Sequence, residues 1–242
     1  MVFDWLKLRK ESWIKLPRFS RLSKIIGEDM VNLLHKKTVL VLGCGGVGGY
    51  VLEALVRSNI GRVIIVDYDV IAESNINRQI IALESTIWLK KVDVLEKRLK
   101  DINSNCEIVK IDKFIDENNI SELFNYDIDF FVDACDTVRT KKCLILECIS
   151  RKVKFISCMG TGNKFDPSLL EIVDIRKTNN DPLARIMRKF VKDNKINSKV
   201  MVLSSREVPV KTGESTPGSS AFVPSCAGLM IASYVVKELI KK

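Results

Sequence analysis

The sequence predicts an α/β fold: a doubly wound, mostly parallel sheet followed by a C-terminal α+β extension. Two observations carry the sheet. From Thr38 to Cys158, short apolar runs alternate with helical patterns, the rhythm of parallel strands covered on both faces. The first run, Thr38-Val-Leu-Val-Leu42, passes straight into a glycine-rich turn and then a helix. A third observation carries the extension: after Gly160 the alternation gives way to two strand-like runs around a basic helix.

Taken in order, a short helix is expected from Ser20 to Leu34 and the first strand from Thr38 to Leu42. Gly43 to Gly49 form the turn, and Tyr50 to Ser58 the helix it opens. Val63 to Val66 is the second strand, Ser85 to Leu99 a helix and Glu107 to Ile111 a strand. Asp129 to Cys135 and Val153 to Cys158 are strands flanking a helix from Val138 to Ser150. Leu169 to Ile175 and Val200 to Leu203 read as strands around a helix from Pro182 to Asn194. Thr212 to Ser220 is turn-rich, and Cys226 to Lys241 is an apolar helix.

Composition narrows the class. With 46% hydrophobic and 29% charged residues, the 242-residue chain can bury a core, which excludes a disordered tail. Its charge of +9 is uneven: residues 1–150 carry 22 basic against 22 acidic side chains, and residues 151–242 carry 17 against 8. Arg176 to Lys199 is the most basic stretch, a candidate nucleic-acid face. The seven cysteines form no C-x-x-C pair and no signal peptide is legible, which predicts a reducing cytoplasm and no structural zinc. The longest apolar run, near Ala221 to Val236, is broken by Pro224, so no transmembrane span is expected. Met1 to Leu16 is weakly amphipathic and holds Trp5 and Trp13.

Gly43-Cys-Gly45-Gly46-Val-Gly48 is a G-x-G-x-x-G turn between a strand and a helix, a Rossmann-like setting. Its glycines let backbone approach a phosphate, and the helix amides attract the negative charge. Asp67 ends the second strand, where a carboxylate can accept both ribose hydroxyls. This much indicates a nucleotide without saying which. A nicotinamide oxidoreductase needs few cations beside its cofactor, because hydride transfer expels no charged group. Attack on the α-phosphate of ATP expels pyrophosphate, whose growing charge calls for Arg, Lys and a divalent metal. Arg78, in Ser74-Asn75-Ile-Asn77-Arg78-Gln79, and Lys91 are suitable cations. Asp133-Ala-Cys-Asp136 closes another strand, so Asp136 falls at the same sheet edge and is a natural Mg2+ ligand.

Together these motifs resemble the adenylation domain of the ubiquitin-activating-enzyme superfamily, ThiF/MoeB type. The resemblance implies that Asp67 holds the ribose, that Asn75, Arg78 and Lys91 hold the phosphates with Gln79 in the same pocket, and that Asp136 holds magnesium. Arg21, in Arg18-Phe-Ser-Arg21, resembles an arginine that family members insert into the partner subunit's ATP site, which implies a homodimer. The chain departs from the pattern at Gly49, where Ser is common, and in lacking the zinc-binding C-x-x-C pairs of sulfur-carrier-activating relatives. Within the superfamily it is most similar to the tRNA threonylcarbamoyladenosine dehydratases, through Ser157-Cys-Met-Gly160, Gly162-Asn-Lys164, Asp166-Pro167, Asp181-Pro-Leu-Ala184, Thr216-Pro-Gly-Ser219 and Phe222-Val-Pro-Ser225.

That similarity implies an ATP-binding adenylation core over residues 18–160 and a basic, tRNA-facing extension over 161–242, continuous with the core, after an N-terminal amphipathic segment over 1–17. The implied reaction adenylates the threonine carboxylate of threonylcarbamoyladenosine beside the tRNA anticodon. The side chain's own ureido group then closes a ring with loss of water. No enzyme nucleophile is required; Cys158 and Cys226 are the candidates if a thioester formed. A sulfur-transfer partner of the cysteine desulfurase system is also implied. Three other readings remain: adenylation of a ubiquitin-like sulfur carrier's C-terminus, a nicotinamide-dependent oxidoreductase, and a non-catalytic tRNA-binding module.

Overall fold

The structure, a computed structural model, describes residues 17–241. The amphipathic segment expected over 1–17 lies, apart from Pro17, outside the described residues. The helix expected from Ser20 to Leu34 is two helices, α1 (Ser20–Ile26) and α2 (Glu28–His35). Gly27 separates them at φ 87°, a conformation that no helix can continue through.

Strands β1 (Thr38–Leu42), β2 (Arg62–Val66), β3 (Glu107–Ile111), β4 (Phe130–Asp133), β5 (Phe155–Cys158), β6 (Leu170–Asp174) and β7 (Met201–Ser205) form one sheet. Its order is β3-β2-β1-β4-β5-β7-β6. All neighbours are parallel except β6 and β7, which run antiparallel with Leu170 opposite Ser205. The α+β extension therefore adds its strands to the edge of the same sheet.

The period of two in each strand divides the core. Val39, Val41, Val63 and Ile65 face one side, packed by α3 (Gly48–Arg57), α4 (Lys91–Ile102) and α7 (Phe222–Ile240). Leu40, Leu42, Ile64 and Val66 face the other, beneath α5 (Val138–Ser150), with α6 (Pro182–Asp193) packed beside it through Ala184, Met187 and Val191. Among the described residues, α7 is the helix long and apolar enough to cross a membrane, but Ala227, Gly228, Ile231 and Val235 are buried. A Cβ on Gly228 would stand 2.5 Å from the Val47 carbonyl oxygen and 2.7 Å from Tyr50 Cβ, so this position joins α7 closely to α3.

The helix expected from Ser85 begins only at Lys91. Thr86 Oγ1 donates to the Ile81 carbonyl and accepts from Leu83 N, and Trp88 sits at φ 69°, so the chain turns there. α7 starts earlier than expected, at Phe222, because Pro224 falls in the first turn, where a missing N–H is tolerated.

One buried acid ties α3 to α4. Glu53 accepts from Arg98 Nε at 2.7 Å and Arg57 Nε at 2.8 Å. Burial raises its carboxyl, but the hydrogen bonds and charges of Arg98 and Arg57 outweigh this and hold it below the ordinary value of 4.5. The stabilisation is present above that value and lost as pH falls through the lowered one. Removing a partner by Arg98→Ala is expected to flatten the acid limb of the thermal-melting profile; an unaltered limb would assign acid lability elsewhere.

Candidate nucleotide site

The sheet order reverses between β1 and β4, and the crevice there opens at the carboxyl ends of the parallel strands. It holds a cavity of about 500 Å³, lined by residues that follow β1, β2, β4 and β5 and by segments preceding α4 and α7.

After β1, Gly43 takes φ 90°, and a Cβ there would stand 2.7 Å from the Ala134 carbonyl oxygen. A Cβ on Gly48 would lie 1.8 Å from the Gly43 carbonyl oxygen. Any side chain at either position would displace the turn. Gly43, Gly45 and Gly46 line the cavity; Gly48 lies buried beneath them at the start of α3.

After β2, Asp67 is buried and fixed by two backbone donors, Cys44 N at 2.6 Å and Asp69 N at 2.9 Å. Burial pushes its carboxyl up, partly offset by the Lys91 charge and these amides. Hydroxyl donors from a ligand would relieve that cost of burial. Lys91 is buried and pairs with Asp69 at 2.6 Å, a bond that uses one of its three donors. Asn75 Oδ1 accepts from Ala72 N at 3.1 Å, and Arg78 Nη1 donates to the Ser74 carbonyl at 2.8 Å, so both are held by their own turn. Gln79 is buried at the glycine loop, and its Oε1 has no protein partner, an acceptor left for a ligand or water.

Beyond β4, Asp136 is exposed to the cavity, and the hydrogen bond it accepts is a long one, 3.4 Å from Thr137 Oγ1. Its oxygens are hard donors, open to a cation. Among the described residues no group of three or more His, Cys, Asp or Glu side chains forms a protein cage. That donor set suits Mg2+, which takes one or two carboxylates and completes its shell with phosphates and water.

Besides Gly43, the predicted residues Gly45, Gly46, Asp67, Asn75, Arg78, Gln79 and Lys91 thus share one cavity, with Asp136 at its β4 side. Arg21 does not join them, being exposed on α1 away from the lining of its own chain's cavity. Cys158 is unsuited to nucleophilic work: it is buried, and burial pushes its thiol to about 12. Cys226, half-buried on α7, is not among the lining residues.

Sequence reasoning missed several lining residues. Tyr68 and Phe114 meet edge to face at 4.9 Å beside Asp67, an apolar slot fit for a purine. It also missed Lys141, fully buried, which donates to Asp133 at 3.0 Å, Ser157 at 3.3 Å and the Cys158 carbonyl at 2.8 Å, joining the carboxyl ends of β4 and β5. The available signal was its place on the apolar stripe of α5 with Leu144, Ile145 and Cys148.

The ThiF family model matches residues 19–242. The chain belongs to the ThiF family. Within that family it is similar to the tRNA threonylcarbamoyladenosine dehydratase of Bacillus subtilis, 39% identical over 93% of this chain and 96% of the relative. The crystal structure of Escherichia coli tRNA N6-threonylcarbamoyladenosine dehydratase, TcdA, in complex with ATP superposes with a TM-score of 0.87. It is 31% identical and covers 92% of this chain and 93% of that one. The adenylyltransferase and sulfurtransferase MOCS3 of Aedes aegypti is more distant in extent: 34% identical over 59% of this chain and 33% of its own.

Proposed function

We infer that the protein is an ATP-dependent tRNA threonylcarbamoyladenosine dehydratase. The observation that carries this reading is the convergence, in one cavity at the topological switch point, of a phosphate-cradling turn, a ribose-type carboxylate and two cations. A chain similar over nearly its whole length to named dehydratases carries that cavity. The sulfur-carrier reading is set aside because its relatives match a smaller part of the chain.

ATP is the co-substrate. The glycine turn approaches its phosphates, Asp67 accepts from the ribose, and Tyr68 with Phe114 flanks the purine. The substrate's threonine carboxylate oxygen attacks the α-phosphorus, and pyrophosphate leaves. Arg78 and Lys91 neutralise charge growing on the phosphoryl oxygens, with Asn75 and Gln79 as neutral partners. Asp136 would hold Mg2+, which when bound supplies charge neutralisation for the departing pyrophosphate. The ureido nitrogen of the same side chain then attacks the activated acyl carbon and AMP leaves with the former carboxylate oxygen. The nitrogen's proton is lost, so the net change in the nucleoside is one water. Because ring closure is intramolecular, holding the two ends together is the main requirement. The two steps themselves consume no sulfur, so a sulfur-transfer partner of the cysteine desulfurase system is proposed to act outside them.

Arg21, exposed on α1, is proposed to complete the ATP site of a second copy, making a homodimer. A cytoplasmic location is proposed with this reading, since tRNA and ATP are both available there. The test is direct: the protein, ATP, Mg2+ and threonylcarbamoyladenosine-containing tRNA should give a nucleoside lighter by one water together with AMP. Adenylation of a ubiquitin-like carrier with no change in the tRNA would replace this reading by the sulfur-carrier one.

The basic extension is proposed as a tRNA face, and within its most basic stretch, Arg176 to Lys199, two cations are used internally. Arg176 pairs with Asp174 and donates to the Ile196 and Ser198 carbonyls, and Arg188 donates to Thr178 at 2.7 Å. Arg185, Lys189, Lys192, Lys195 and Lys199 remain exposed. The double change Lys189→Glu with Lys192→Glu is expected to weaken tRNA binding about tenfold at low salt. It should also make log affinity fall less steeply with log salt, by about one in slope for each phosphate that the variant no longer neutralises. An unchanged slope would return α6 to an ordinary solvated face.

A further inference from the structure

Two aromatic rings stand in water at the rim of the nucleotide cavity. Phe165 is 65% exposed and Phe222 51% exposed, and they meet edge to face with centroids 5.2 Å apart. They come from distant segments, the loop after β5 and the first residue of α7. Both segments line the cavity through near neighbours, Thr161 on one side and Ser219 and Pro224 on the other.

The perch is built rather than loose. The Glu207 carboxylate accepts from the backbone N–H of Phe165 at 2.8 Å and of Asp166 at 3.0 Å. Asn163, in the left-handed region at φ 58°, donates its N–H to the Gly218 carbonyl and accepts from Gly218 N at 2.6 Å through its side chain. This anchors the segment leading to Phe222. Lys164 is buried, donates to the Gly160 carbonyl at 2.6 Å and pairs with Asp181 at 2.7 Å. The other Asp181 oxygen caps α6 through Ala184 N at 2.8 Å. The segment that carries Phe165 is therefore tied, one residue earlier, to the start of the helix that carries Arg185, Lys189 and Lys192.

We propose that Phe165 and Phe222 form a stacking platform for the purine that bears the threonylcarbamoyl arm. The proposal rests on the dehydratase reading and deepens it. Only a few bonds separate that purine from the carboxylate to be adenylated. With the carboxylate at the α-phosphorus inside the cavity, the purine is held at the mouth, where these rings stand. Recognition of unpaired RNA bases commonly combines such aromatic faces with nearby cations that meet the backbone.

Phe165→Leu and Phe222→Leu keep apolar bulk and remove the ring faces. The wild type is first assayed for ATP binding and for dehydration of the modified tRNA. Each leucine variant is then expected to raise KM for the tRNA about tenfold, with kcat at saturating tRNA and the Kd for ATP unchanged. Phe165→Tyr and Phe222→Tyr should restore KM. In an anticodon stem-loop carrying 2-aminopurine in place of the modified purine, binding should quench fluorescence with the wild type and not with the leucine variants. Unchanged KM and quenching in those variants would overturn the platform and leave the dehydratase reading standing. Dissociation of a dimer with KM unchanged would overturn it in favour of a protein interface. A wild-type protein that binds ATP and leaves the tRNA unaltered would overturn the dehydratase reading, and the platform with it.

Discussion

Replacing Asp136 by alanine is expected to lower ATP-dependent dehydration about a thousandfold, close to 4 kcal/mol of transition-state stabilisation, and to leave the melting temperature unchanged. The stability half follows from position. Asp136 is exposed, belongs to a loop after β4, and accepts only the long hydrogen bond from its neighbour Thr137. The activity half follows from chemistry, because Asp67 is engaged by two amides and Asp69 by Lys91, leaving Asp136 as the carboxylate on this rim open to a cation. AMP release and the mass of the product nucleoside are the measurements. Full turnover in the variant would remove Asp136 from the reaction; a lowered melting temperature would make it structural.

Lys141→Met is expected to destabilise the fold by about 3–5 kcal/mol, read as a lower urea midpoint, because it strands the buried Asp133 carboxylate. Burial pulls the Lys141 ammonium downward, but the Asp133 charge and hydrogen bond, with Cys135 and Cys158 nearby, together outweigh it, so its folded value lies above the ordinary 10.5. A raised lysine contributes stability that is complete below that ordinary value and lost as pH rises through the higher one, so the bridge holds across the neutral range. Lys141 also binds the Cys158 carbonyl, and the loops leaving β4 and β5 both line the cavity. The variant should therefore bind ATP more weakly even at temperatures where it stays folded. A stability within about 1 kcal/mol of the wild type would overturn the structural role of the bridge.

Much of this was legible in the residues. β1, β3 and α5 have the bounds expected from their sequence patterns; β1 is the clearest, because a strand buried on both faces must be apolar throughout and a glycine marks where it stops. That the glycine turn, Asp67 and the Asn75–Gln79 stretch meet at one cavity was legible because each belongs to a short, local pattern. The start of α4 was not, since Thr86 offers its backbone a competing set of hydrogen bonds that helical periodicity does not register. The bridges Lys141–Asp133–Ser157 and Asn163–Gly218 span too much sequence to leave a local pattern. Net charge overstated the basic face, because Arg176 is paired with Asp174 and both Arg176 and Arg188 donate to backbone carbonyls.

The close seat of α7 on α3 at Gly228 bears on the order of events during synthesis. The glycine turn leaves the ribosome well before the helix that packs against α3 directly behind it. A nascent chain halted before Phe222 has the whole G-x-G-x-x-G signature and neither Pro224 nor Gly228 to close the crevice around it. Such a chain is expected to be ATP-silent, so the adenylating activity begins only once translation has passed α7.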